Sequence, residues 1–135
     1  MYVCPKCERE FAKPDMKHWC TEETVDDILA KSSDEVVLAF DAVLVATAEW
    51  EPNYVGAAKR AIVFSKETAW MIARPARRWL DLIVRFPDQR RRGFVHKIRP
   101  HYSGKLHEHV VRLRGVDDLD EAVLRFLRDG YEAVA

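Results

Sequence analysis

The sequence predicts an α+β domain in which an antiparallel sheet of about five strands is covered by N- and C-terminal helices, with a small cysteine-bearing module ahead of it. Three observations predict this. Apolar residues recur at helical spacing near both ends of residues 22–135, alternating segments fill the middle, and the connections between those segments are short, which favours antiparallel pairing. The chain has 135 residues, 48% hydrophobic and 33% charged, enough for one substantial core and too little for two. Five Gly and six Pro exclude collagen-like and low-complexity classes.

The module comes first, over residues 1–21. All three cysteines lie within it, and an odd, tightly clustered set reads as metal ligation rather than a disulfide framework. The turn Cys4-Pro5-Lys6-Cys7 aims two sulfurs at one point, and His18 with Cys20 completes a Cys₃His set. Thiolates plus imidazole in a closed site favour a structural Zn²⁺, so the module reads as a zinc knuckle. Lys6, Arg9 and Lys17 offset the net negative charge of such a centre, and Phe11 supplies a small core. The tripeptide His18-Trp19-Cys20 must turn, because residues two apart on an extended strand point to opposite sides. The alternatives are a surface His18, with water or another His in the shell, and reduced thiols without metal. Nothing nearby resembles a general base, so a catalytic zinc is disfavoured.

The domain over residues 22–135 begins with helices. Thr24 caps a short helix carrying Val25, Ile28 and Leu29. Ser32-Ser33-Asp34-Glu35 has the capping-box pattern for a second helix over 33–49, with Val36, Val37, Phe40, Val43 and Leu44 as its apolar stripe. Pro52 and Gly56 mark a loop. Five strands follow. Ala61–Phe64 and Thr68–Ala73 flank a turn at Ser65-Lys66-Glu67. Trp79–Phe86 puts Leu80, Leu82, Val84 and Phe86 opposite Trp79, Asp81, Ile83 and Arg85. Phe94–Arg99 puts Phe94, His96 and Ile98 opposite Val95, Lys97 and Arg99. His107–Arg114 puts His109, Val111 and Leu113 opposite Val110, Arg112 and Arg114. Asp117 and Asp118 suit the start of a last helix over 117–133, striped by Leu119, Val123, Phe126, Leu127 and Tyr131, with Gly130 loosening its last turn.

The opening Tyr2–Asp15 with His18-Trp19-Cys20, the segments Ala61–Pro75 and Trp79–Phe86, and His109–Arg114 followed by Asp117–Asp120 and Tyr131-Glu132 together resemble a zinc-knuckle protein of bacterial domain-of-unknown-function family 5655. Glu8 stands where such knuckles often carry Gly. Domains of that family occur beside nuclease-like domains or are labelled transport-associated, without an established activity, and the resemblance transfers no catalytic residue.

The neutral total of 22 basic and 22 acidic side chains hides a segregated chain. Residues 22–56 hold one basic against nine acidic side chains, and residues 57–116 hold fifteen basic against four acidic. The middle block predicts a basic sheet face of Arg85, Lys97, Arg99, Arg112 and Arg114, extended by Arg90-Arg91-Arg92, with Trp79 and Tyr102 available to stack on bases. The expected function is a non-enzymatic binding module for nucleic acid or another polyanion. The bland alternative pairs these arginines with the acidic helices. A protein-interaction or small-ligand module anchored by Trp50, Trp70 or Trp79 is the other class. An enzyme is disfavoured: no phosphate-binding glycine loop, nucleophile elbow or H-E-x-x-H motif occurs. Asp81 and Glu108 lack an interpretable partner, and His109 of the His107-Glu108-His109 tripeptide falls in phase with the core. No signal-peptide core or bilayer-length apolar run is visible, so the expectation is a cytoplasmic protein with no membrane partner.

Overall fold

A short helix opens the ordered domain because Thr24 and Asp27 cap it reciprocally. Asp27 N–H donates to Thr24 Oγ1 at 3.1 Å, and Thr24 N–H donates to the Asp27 carboxylate at 2.9 Å. This is α1, Val25–Leu29, in a computed structural model that describes residues 2–3, 10–11 and 23–134. Helix α2 follows as Asp34–Thr47. Its cap is Ser33 alone, one residue later than a box closed by Glu35 requires. Ser33 Oγ accepts from Val36 N–H, and Ser32 Oγ donates instead to Ala76 O at 2.9 Å.

The strands are β3 Tyr54–Ala58, β4 Ala61–Ser65, β5 Ala69–Pro75, β6 Leu80–Phe86, β7 Val95–Pro100 and β8 His107–Leu113, after a small pair, β1 Tyr2–Val3 and β2 Glu10–Phe11. The main sheet has six antiparallel strands in the order β3-β4-β5-β6-β8-β7. The additional strand is β3, where Gly56 suggests a loop. Gly56 is instead a paired, buried strand residue opposite Val63. The segment after β8 is also corrected. Asp117 and Asp118 lie in a 3₁₀ turn, Val116–Asp118, and helix α3 starts later, as Glu121–Ala133 capped by Asp120.

Both long helices cover one face of the sheet. Val36, Ala39, Phe40 and Val43 of α2 and Val123, Phe126, Leu127 and Tyr131 of α3 share one core with Ile62, Phe64, Leu80, Leu82, Val84, Phe86, Val111 and Leu113. The alternation of β6 and β8 is as the sequence predicts. Two bulges break it elsewhere. One at the β4–β5 register shift turns both Trp70 and Met71 into the core, so Trp70 is buried out of phase with Ile72. Another at His96 turns Val95 toward the core opposite Val111, while Lys97 and Arg99 point to the other face.

One end of the sheet is locked by aromatics. Trp70 packs against Trp50 and Tyr131, and its indole N–H donates to Asn53 Oδ1 at 2.9 Å. Tyr131 O–H donates to Pro52 O, and Lys66 Nζ donates to the carbonyls of Tyr131 and Val134 at the end of α3, where a cation suits the helix dipole. Here Gly130 does not fray the helix; it permits contact. A Cβ at Gly130 would lie 3.0 Å from Val84 Cβ and 3.2 Å from Val84 Cγ1, both fully buried. Overpacking costs about 1–3 kcal/mol, against a helix-propensity gain near 1 kcal/mol. Gly130→Ala is therefore expected to lower the free energy of unfolding by about 1 kcal/mol net, and Gly130→Val by more. Urea denaturation of the two variants checks this; a stabilised Gly130→Ala protein would show the contact to be soft.

Candidate site at the basic end of the sheet

Arg85, Arg99 and Arg112 of the predicted basic face are on one face, as the alternation requires, but they are not free. Arg112 binds Asp81 in a fork, with Nε at 2.9 Å from Oδ1 and Nη2 at 3.1 Å from Oδ2. The Asp81 carboxylate raises the Arg112 pKa, and the guanidinium lies 4.1 Å from the Trp79 ring centroid. Arg99 and Arg85 share Glu108 at 2.8 and 3.5 Å. Asp81↔Arg112, Arg85↔Glu108 and Arg99↔Glu108 are direct cross-strand neighbours. The partners thus belong to the sheet itself rather than to the acidic helices, and Asp81 and Glu108 are committed to ion pairs. Between these rows runs an apolar band, with Val63, Ile83 and Val110 nearly inaccessible.

The Arg90–Arg92 segment lies in the β6–β7 connection. Arg90 pairs with Asp88 at 3.1 Å, holding the Asp88 carboxyl below its usual range, and its guanidinium covers the Phe86 ring. Arg91 and Arg92 are exposed and make only local bonds, to Gln89 and to the Arg91 carbonyl. Lys97 and Arg114 are exposed as well. Trp79 is half-covered by Arg112, whereas Tyr102 is 96% exposed against His101. Cys4, Cys7, His18 and Cys20 lie outside the described residues, and among the described ones no group of three potential metal ligands converges.

His109 is a buried structural residue. Its ring is 0% exposed and packs edge-on against Phe86. Arg90 N–H donates to Nε2 at 2.9 Å, and Nδ1 lies 2.9 Å from the His107 carbonyl, to which it must donate. Both nitrogens are satisfied by the neutral Nδ1–H tautomer, and protonation removes the acceptor. Burial pushes the His109 pKa below its ordinary value, outweighing the His107 carbonyl and Asp88, which act the other way.

Register identifies a different place where cations gather. Ala58 pairs with Ala61, Pro75 with Leu80, and Leu80 with Leu113, so the β3–β4 turn, the β5–β6 turn and the exit of β8 share one end of the sheet. These connections carry Arg60, Arg77, Arg78 and Arg114. The α1–α2 connection joins them, because Ser33 N–H donates to Arg77 O at 2.8 Å, and it brings Lys31. All five side chains are exposed, and none is ion-paired among the described residues. The sequence contains Arg77 and Arg78 as part of the basic block. Arg60 and Lys31 carry no local signal, since only strand register brings them to this end. A groove of about 330 Å³ opens here, lined on one side by Lys31 and Ser32 and on another by Arg60 and Arg77.

The comparisons with known proteins bear on this geometry through one family. Its profile, described as a domain of unknown function (DUF5655), matches residues 25–134. The chain belongs to the DUF5655 family. The match spans α1 through α3, so the basic end of the sheet, its groove apart from Glu23, and the His109 contact lie within the DUF5655 domain, while Cys4, Cys7, His18 and Cys20 precede it. No curated protein and no solved structure matches the chain.

The His109 contact gives the DUF5655 domain a pH dependence of known sign. A base whose folded pKa is depressed binds fewer protons folded than unfolded, so stability rises with pH across the interval between the two values. Its contribution is full above the unfolded value of about 6.5 and is lost as pH falls through the lower folded value. Thermal melts between pH 7.5 and 5 should show that loss. In His109→Phe it should be much reduced, at a cost near neutrality of about 1–3 kcal/mol for the Arg90 N–H left without an acceptor. An unchanged pH profile in the variant would assign the acid sensitivity elsewhere.

Proposed function

We propose that this chain is a non-enzymatic binding module for nucleic acid, or a polyanion of similar charge density, and that it engages the ligand through the turns at the basic end of the sheet. The observation that carries this reading is the gathering of Lys31, Arg60, Arg77, Arg78 and Arg114 from four connections, exposed and without ion-pair partners among the described residues. Arg85, Arg99 and Arg112 are held by Asp81 and Glu108, so phosphate contacts fall chiefly to the turns. Of the acidic residues at the same end, Asp34, Glu35 and Asp120 sit at the starts of α2 and α3, where they offset the positive helix termini, Asp118 accepts the Arg114 N–H, and Glu23 and Asp27 border the groove. Among the described residues no helix is long and apolar enough to cross a membrane.

The test is binding to single- and double-stranded oligonucleotides across a salt series. Each phosphate contact releases counterions and adds about 0.7 to 0.9 to the log–log salt slope. Replacing Arg77 and Arg78 together by Gln should weaken binding and lower the slope by between one and two, with an unchanged melting temperature. Absence of association with either form at low salt overturns the reading. Leu38 and Val45 favour a second reading, protein interaction, because they stand 55% and 76% exposed on the outer side of α2. Sedimentation with and without candidate protein partners addresses it.

The proposal includes a structural zinc on Cys4, Cys7, His18 and Cys20. Its support is the ligand spacing in the sequence, together with the antiparallel pairing of Tyr2–Val3 and Glu10–Phe11 on either side of Cys4 and Cys7. Native mass spectrometry after reconstitution should show one zinc per chain, lost in Cys4→Ser while the melting of the main domain is retained. A chain that takes up no zinc overturns the assignment.

A further inference from the structure

The groove at the basic end has a shape that charge alone does not require. One wall is the α1–α2 connection with Lys31 and Ser32; the other is the β5–β6 turn with Arg77. Two hydrogen bonds tie these walls together, Ser32 Oγ–H to Ala76 O at 2.9 Å and Ser33 N–H to Arg77 O at 2.8 Å. The third side is the β3–β4 turn. There Arg60 has φ +57°, the left-handed region that suits glycine, so the turn keeps a cation at a position where another residue is conformationally easier. Two carboxylates also line the groove. Asp27 is engaged by the Thr24 N–H, and Glu23 has an interaction of its own.

We infer that this groove receives a terminal phosphate monoester of the nucleic acid. The inference rests on the binding reading above and adds to it the part of the ligand that is recognised. An internal phosphodiester carries one charge and must leave a site in two directions. A terminal monoester carries between about 1.5 and 2 negative charges near neutrality, leaves in one direction, and presents three acceptor oxygens. Three cations from three chain segments around one concavity match the second description. Two are guanidinium forks suited to paired phosphate oxygens, and Lys31 adds a compact charge.

The experiment compares single-stranded oligonucleotides of one sequence bearing a 5′-phosphate, a 3′-phosphate or hydroxyl ends, using the full chain and fluorescence anisotropy. One phosphorylated form is expected to bind about tenfold more tightly than the hydroxyl form, equivalent to about 1.4 kcal/mol. The gap should narrow below about pH 6 as the monoester dianion takes up a proton and becomes a monoanion. Lys31→Gln and Arg60→Gly should close it, the latter keeping a backbone that glycine adopts freely. Arg78→Gln, outside this groove, should weaken all three strands by a common factor and preserve the gap. Equal binding of all three strands by intact protein overturns the inference and leaves the broader reading standing. If no strand binds, the broader reading falls, and titration with a nucleoside monophosphate decides the pocket. Amide shifts confined to Lys31, Ser32, Arg60 and Arg77 support it; absent or dispersed shifts overturn it.

Discussion

Inserting β8 between β6 and β7 imposes the constraint around which the domain is arranged. The β6–β7 connection cannot be a simple hairpin; it must travel past the place that β8 will occupy. It does so along the helix side of the sheet, where Arg90 covers Phe86 and Phe94 packs against Phe126 of α3. His109 projects from β8 into this crossing, and its Nε2 accepts the Arg90 N–H. The same side chain fills the core and supplies the acceptor that a buried backbone donor needs, so both requirements fall on one neutral imidazole. A purely apolar residue would satisfy the first requirement and leave the second unmet.

The same strand order decides the electrostatics. Cross-strand neighbours on β6 and β8 come from distant points in the sequence: Asp81 meets Arg112 and Arg85 meets Glu108 because their strands pair, not because the chain alternates charge. Four acidic residues in a block of fifteen basic ones look negligible when counted along the chain. Two of those four, Asp81 on β6 and Glu108 on β8, engage three arginines. Arg85, Arg99 and Arg112 are therefore consumed locally, whereas Lys31, Arg60, Arg77 and Arg78, in connections with no carboxylate facing them across a strand pair, remain available. The useful distinction is between cations that meet a carboxylate across a strand pair and cations that do not, a property of register that block counting averages away.

Much of the architecture was legible because it rests on local physics. Thr24 and Ser33 announce helix starts through backbone donors that need acceptors, and the alternation of Leu80–Phe86 follows from the pleat. What escaped depends on partners elsewhere. Strand β3 has weak β-formers at Gly56, Ala57 and Ala58 and holds its place by pairing with β4. Gly130 reads as a defect until the approach of Val84 is known. The bulges at Trp70 and His96 shift phase without altering composition, which is why Val95 reads as outward-facing beside Lys97 and Arg99. The knuckle positions are read from spacing alone, and the basic face of Arg85, Arg99 and Arg112 was legible as a face but not as a paired one.

The two ends of the sheet divide the work between them. Helices α2 and α3 both run from the basic end to the aromatic end: Ser33 and Asp120 start them near Arg77 and Arg114, and Asn53 and Lys66 receive their last carbonyls. The aromatic end is closed by Trp50, Trp70 and Tyr131, where burial lifts the Tyr131 pKa and its hydroxyl donates to Pro52. The core and the aromatic lock do not require the basic end to pair its charges internally. A domain of this size that placed its free cations over the core-bearing strands would have to desolvate them or leave the sheet uncovered. Placing five of them in the connections at one end, with the acidic first turns of the helices on the adjoining layer, leaves those five hydrated and clear of the core. That placement keeps a polyanion-binding surface compatible with a stable fold, and it predicts that losing a turn cation alters ligand affinity with little effect on melting.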